Sequence, residues 1–429
     1  MEKHRCEAYA VIASSFAPIL PPCDEAVMTP DCTPRHLHAY LLRTVMAVAV
    51  ALFVHGCAQQ PAIPTQPASA TPWALATSTM QWNDFACELI ARNQIGQFPA
   101  LRTLAYLNLA IHDAIVGARQ KNLPTDGAVA GAAATVLAQL FPKEEQVIAA
   151  RLAGETAAIG APHRASFTVG VETGRAAASE VMKLAKTDRA DANWSGALPV
   201  GDDKWSSRLQ PPRPPLGAHF GQIRPFFLTT AGDFRAAPPP SIDSAEFRAN
   251  LREVRVISDT RTNEQVRIAQ YWEGLGGSFN AGAWNAVARR AIAQHGLSEP
   301  DSARVLAMMH MAGFDANLAC HESKYVYWVP RPTQVDPQIT LAIGVPNHPS
   351  YPSNHACISG AIARVLDTQF PDEHGLYWSM ARQAAESRIL GGIHYRMDID
   401  AGFQIADKIA KRALEIDVVS DKAFTPVGH

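Results

Sequence analysis

LRTLAYLNLAIHDAIVGA, residues 101–118, repeats apolar residues at intervals of three and four, the spacing that turns one face of an α-helix into a core. Within it, the pattern R-x-L-A-x4-A-x2-D-A runs from Arg102 to Ala114 and returns, gap for gap, from Arg304 to Ala316. At about 100° per residue, the Arg, two Ala and Asp of each copy fall on one side of a helix. The echo predicts an all-α fold of two related helical bundles packed together, each contributing an equivalent helix.

The same periodicity spreads outward from both copies. AVAGAAATVLAQLF (128–141), EQVIAARLAGETAAI (145–159), VETGRAAASEVMKLAK (171–186) and SAEFRANLREVRVI (244–257) all carry it, and alternating β-branched runs are nearly absent. TNEQVRIAQYWEGL (262–275) opens with Thr262 and Gln265 in capping-box spacing. Between these blocks, LQPPRPPLGAHFGQIRPFF is too rich in proline to be helical throughout. The expected organisation is an N-terminal bundle at 81–198, a Pro-rich crossover at 199–243, a C-terminal bundle at 244–419 and a tail at 420–429.

The beginning of the chain has a different character. Residues 35–43 are basic and mixed, and TVMAVAVALFV (44–54) is an apolar core too short to span a bilayer comfortably, a secretory signal layout within residues 1–57. Val54-His55-Gly56-Cys57 is similar to a bacterial lipobox, which would lipidate Cys57 and anchor the chain to a membrane. Cleavage after Ala70 and retention as a signal anchor are the alternatives. AQQPAIPTQPASATP then reads as part of a flexible tether at 58–80. Each version predicts export, as a periplasmic or outer-membrane-anchored lipoprotein or as a secreted protein. A formal net charge of −2 supplies no global basic field, which argues against nucleic acid as a partner. Cys87, Cys320 and Cys357 lack metal-ligand spacing and allow either one disulfide or three free thiols.

Chemistry concentrates in 324–398. KYVYWVPRP (324–332) supplies Lys324 and Arg331, PSNH (352–355) supplies Ser353, Asn354 and His355, and SRILGGIHYRMD (387–398) supplies Arg388, His394 and Asp398. A tetrahedral oxyanion carries two or three negative charges and needs several cations and fixed donors. Lys324, Arg331 and Arg388 provide the charge, and guanidinium forks suit paired oxygens. Ser353 offers a hydroxyl, and Asn354 its backbone N–H. ACISGAIARVLDTQF reads as a helix, so PSNH would lie where free amides and the helix dipole favour an anion. His394 precedes Asp398 by four residues, so the carboxylate can orient the imidazole for attack on phosphorus or for ligation of a metal oxyanion. His355 suits a general acid or base.

In this order, K-x6-RP, PSxH and SR-x5-H-x3-D resemble the superfamily of type 2 phosphatidic acid phosphatases, bacterial acid phosphatases and vanadium haloperoxidases. The resemblance implies that Lys324, Arg331, Ser353, Asn354 and Arg388 bind phosphate or vanadate. His394 would be the phosphate nucleophile or the axial ligand of vanadium, and His355 the acid/base. The W…R-x-L-A…HDA opening, the Pro-rich middle and the FDAN…KY helix look like the soluble haloperoxidase branch. His348, seven residues before His355, matches a second histidine of bromoperoxidase-like members. Asn354 stands where the family usually has Gly, and His321 where haloperoxidases often carry Trp.

Two chemistries follow from the resemblance. With vanadate as cofactor, the protein would oxidise a halide, bromide first, with hydrogen peroxide. With no cofactor, it would hydrolyse a phosphate monoester through a phosphohistidine. A noncatalytic oxyanion-binding envelope lipoprotein is a third expectation, should Asn354 impair turnover.

Overall fold

The computed structural model describes residues 77–211, 213–276, 279–416 and 422–427. The signal region, Cys57 and most of the tether lie outside these residues. Every regular element among the described residues is helical, and none of these helices is long and apolar enough to cross a membrane.

The first helix, α1 (Ser78–Arg92), starts inside the segment read as tether. Thr77 Oγ1 accepts from Met80 N at 3.4 Å, while the Glu299 carboxylate accepts from Ser78 N (2.8 Å) and Thr79 N (2.7 Å). The start signal therefore comes largely from a residue more than two hundred positions away, beyond the reach of local pattern. Next come α2 (Gln97–Gln120), α3 (Thr125–Leu140), α4 (Glu145–Ala158) and α5 (Ala161–Thr187). α5 begins ten residues before its periodic stretch, with Pro162 in the first turn, where proline costs no hydrogen bond. Helices α2, α3 and α5 pack on one another. A Cβ on Gly174 would lie 2.0 Å from Ala128 O, so only glycine permits the α3–α5 approach.

After the crossover come α6 (Ala245–Thr260), α7 (Asn263–Gly276), α8 (Phe279–His295) and α9 (Glu299–Tyr327). Thr262 and Gln265 form the expected reciprocal cap, at 2.9 and 3.2 Å. Helix α9 is buried along nearly all of its 29 residues and packs directly against α2. The two helices that carry the repeated pattern thus lie against each other. Both aspartates of that pattern hold distant backbone. Asp113 accepts from Phe424 N at 3.0 Å; Asp315 accepts from Phe226 N (2.8 Å) and Phe227 N (2.7 Å), clamping the proline-rich crossover onto α9.

The short α10 (Pro332–Val335) is followed by α11 (Asn354–Gln369), α12 (Leu376–Leu390) and α13 (Arg396–Ile416). Helix α11 packs against α9, α12 and α13. Gly402 lets α13 approach the start of α11, since a Cβ there would stand 2.9 Å from Ser353 O. Cys87, Cys320 and Cys357 are free thiols.

Candidate active site

Helix α9 delivers Lys324 in its last turn and stops at Trp328, which takes the left-handed conformation at φ 56°, ψ 37°. This is a costly geometry for a bulky residue. The Trp328 ring is held by Trp194, Trp205 and Tyr325 at 5.0–6.1 Å between centroids, and its carbonyl accepts from Trp205 N at 2.7 Å. These aromatics fasten the chain reversal between α9 and Arg331.

Lys324, Arg331, His348, His394 and Asp398 form one buried cluster. Lys324 Nζ donates to the carbonyls of Pro349 (3.0 Å), Ser350 (2.8 Å) and Pro352. All three ammonium protons are taken by this loop, so Lys324 shapes it and contributes its charge through space. Arg331 donates from Nε to His348 O (3.1 Å) and from Nη1 to Ile393 O (2.7 Å) and His394 Nε2 (2.9 Å). Its Nη2 meets His348 Nδ1 at 3.1 Å.

A guanidinium can only donate, so Nε2 of His394 must be the lone-pair nitrogen. The proton of His394 then lies on Nδ1 and goes to Asp398 Oδ2 at 2.7 Å. His394 is not itself helical. It sits in the loop after α12, and the four-residue spacing works because Asp398 occupies the first turn of α13. Asp398 Oδ2 also accepts from Tyr395 N (3.1 Å) and Ser350 Oγ (2.5 Å). Ser350 is a partner that motif reading missed. Its signal is the doubled Pro-Ser in PSYPS, where the first serine serves the carboxylate and the second begins the helix.

Ser353 is the N-cap of α11, with φ −81° and ψ 123°, yet its side chain caps nothing. Its hydroxyl is buried without a partner. Serine at this position ordinarily caps its own helix, and an unsatisfied buried hydroxyl costs about 1–3 kcal/mol. Beside it, the first-turn amides of α11 lack intrahelical acceptors, as at every helix start.

Arg388 and His355 face another way. Arg388 donates to Ser387 Oγ (2.9 Å), Ala269 O (2.9 Å) and Glu273 (3.4 Å). His355 Nε2 lies 3.2 Å from Trp272 O. Helix α7 is thus a wall of the site that the motifs did not announce. The Asn354 side chain turns toward α9, with Oδ1 accepting from the Cys320 thiol (2.8 Å) and Nδ2 donating to Asn317 Oδ1 (3.2 Å).

Burial dominates the electrostatics. It lowers Lys324 to about 8 and both Arg331 and Arg388 to about 10. Burial, followed by the charges of Arg331 and Lys324, pushes His394 well below the usual imidazole range, so the ring is neutral. His348 and His355 move the same way, chiefly through burial and then through Lys324 and Arg388 respectively. Burial raises Asp398 to about 6, against its three donors and two cations. Three buried cations thus share one buried carboxylate and the partly exposed Glu273. Uncompensated buried charge favours binding of an anion.

These donors fit a tetrahedral oxyanion: a neutral imidazole lone pair, an orphaned hydroxyl, a helix start and excess buried positive charge. No group of three metal-ligating side chains occurs among the described residues.

Residues 303–412, which span the cluster, match the PAP2 superfamily. This segment carries every sequence-predicted oxyanion and histidine residue, and the chain has the all-α fold of the vanadium-dependent haloperoxidases. A bacterial vanadium-dependent iodoperoxidase aligns with a TM-score of 0.68 at 21% identity, over 79% of this chain and 95% of its own. The apo form of a bacterial vanadium-dependent chloroperoxidase gives 0.60 at 16% identity, over 73% and 92% of the two chains. The holo form gives 0.60 at 15%, over 81% and 94%. No curated protein matches the sequence.

Proposed function

We propose that the protein is a vanadate-dependent haloperoxidase that oxidises halide, bromide first, with hydrogen peroxide, in an exported setting. The observation that carries this reading is the His394 imidazole, with Nδ1–H on Asp398 and its Nε2 lone pair presented beside Arg331. Vanadate bound there supplies Lewis acidity toward peroxide. His394 Nε2 would hold it, after the Arg331 Nη1 contact rearranges. Ser353 Oγ, the Asn354 amide and the free N–H groups of Arg331 and Arg388 would donate to its oxygens, with Lys324 contributing charge from behind the loop. His355, neutral and beside Arg388, can accept a proton from peroxide entering the site and return one to a leaving oxygen. His348 takes a hydrogen bond from Arg331 and adjusts how much of that cation is left for the anion.

The match to the PAP2 superfamily supports a second reading on the same residues. His394 attacks phosphorus, His355 protonates the leaving oxygen, and a phosphohistidine forms. One titration separates the two. Orthovanadate added to metal-free protein in phosphate-free buffer should produce saturable, bromide- and peroxide-dependent bromination of a dye, and phosphate should compete it away. An iodide arm ranks the halides. The haloperoxidase reading falls if no halide is oxidised at any vanadate level, and phosphomonoester hydrolysis inhibited by vanadate would put the phosphatase in its place.

A further inference from the structure

His394 stands in the turn that joins α12 to α13. Such a turn leaves the last carbonyls of one helix and the first amides of the next without intrahelical partners. One group of each kind is taken by α6. Arg261, which ends that helix, donates from Nε to Leu390 O, the final carbonyl of α12, at 2.6 Å. Asn250 Oδ1 accepts from Met397 N, in the first turn of α13, at 2.8 Å. Leu390 precedes His394 in the chain and Met397 follows it, so the two contacts bracket the histidine.

The bracket comes from one face of α6. Asn250 and Arg261 are separated by about three turns of helix, which puts both on the same side. Between them, Glu253 Oε1 accepts from Arg396 Nη2 at 2.7 Å, and Ser258 Oγ accepts from Thr340 N at 2.7 Å. Arg261 reaches the same Thr340, donating from Nη2 to its carbonyl at 3.0 Å. A Cβ on Gly392, whose φ is 81°, would stand 2.9 Å from that carbonyl. Thr340, itself held by α6, therefore closes on the backbone just before His394. None of these groups touches the imidazole. Its own contacts, 2.7 Å to Asp398 and 2.9 Å to Arg331, depend on where the turn is held.

We infer that α6 is a splint for the His394 turn, and that Arg261 and Asn250 are positioning residues that fix where the imidazole lone pair points. The use of that lone pair as ligand or nucleophile rests on the function proposed above. The splint can be read on the imidazole itself.

The test uses the full chain with isotope-labelled histidine. The Nδ1–H of His394 should give a slowly exchanging proton resonance, identified by its absence from His394→Ala. Both bracketing side chains are half-buried, so Arg261→Met and Asn250→Leu leave the core filled. Each should lose the resonance to exchange with water, and each should weaken orthovanadate binding and turnover by roughly 10–100-fold. Asn250→Asp keeps an acceptor at the start of α13, where an acidic group is favoured, and should restore all three readouts. Arg255→Ala controls for lost stability alone. It removes ion pairs of α6 with Asp259 (2.8 Å) and Asp336 (3.1 Å), and should leave the resonance and the affinity unchanged. Retention of both in Arg261→Met and Asn250→Leu would overturn the inference, as would an equal loss in Arg255→Ala or absence of the resonance from the unaltered chain. If the unaltered chain binds no oxyanion, the proposed function falls, while loss of the resonance in the two variants still upholds the splint.

Discussion

Arg331 and Arg388 are both buried guanidiniums of the same site, and they are fastened differently. Arg331 binds within the loops of the cluster, to His348, Ile393 and His394, so it sets which nitrogen of His394 carries the lone pair. Arg388 is tied by Ala269 and Glu273 to α7, the helix whose Trp272 carbonyl also meets His355. One side of the site therefore presents a neutral imidazole with its tautomer already set. The other side depends on an outside helix for its position. The comparison teaches that the Arg331–His394 pair is held within the loops while Arg388 and His355 both lean on α7, so a change in α7 should disturb the second pair and spare the first.

The largest break comes from His394→Ala, which should reduce halide oxidation or phosphomonoester hydrolysis to background, because in both proposed chemistries its Nε2 lone pair is the ligand or the nucleophile. His355→Ala should lower turnover by roughly 10²–10⁴-fold while sparing oxyanion binding. Measured together by activity and calorimetry, these variants separate the two sides. Loss of anion binding in a folded His355 variant would merge them.

A smaller effect is expected from pH. The Lys324 pKa is depressed to about 8, so its cation is present below that value and lost as pH rises through it. Affinity for tungstate, an oxyanion whose charge stays constant there, should fall across the same window. Asp398, raised to about 6, stops accepting from His394 when it protonates, so activity should fall as pH drops through about 6. A flat affinity profile around 8 would mean that Lys324 serves only the loop. The smallest effect is that of Glu273→Gln. Its contact is long and partly exposed, so freeing Arg388 should strengthen oxyanion binding only severalfold. A large loss instead would show that α7 is needed to place Arg388 at all.

Much of the site was legible because its chemistry is carried by residue type at short spacing. His394 and Asp398, the pair Ser353 and Asn354 at a helix start, and the capping box at Thr262 are local statements, and local geometry satisfies them. What Asn354 does with its side chain was not legible there, since Asn317 and Cys320 draw it toward α9. Ser350, Glu273 and Asn317 were not legible. Each is an ordinary polar residue until a distant segment arrives beside it.

Helical periodicity, the order of the three motifs and the supply of cations for an oxyanion were determined by the sequence alone, because each is a matter of residue type and position along the chain. Tertiary structure decided the tautomer of His394, the division of labour between the two arginines and the turn of the Asn354 side chain toward Asn317. Arg331 meets His394 across 63 residues, and Arg388 meets Ala269 across 119. A buried hydrogen bond takes its direction from the groups that packing brings together.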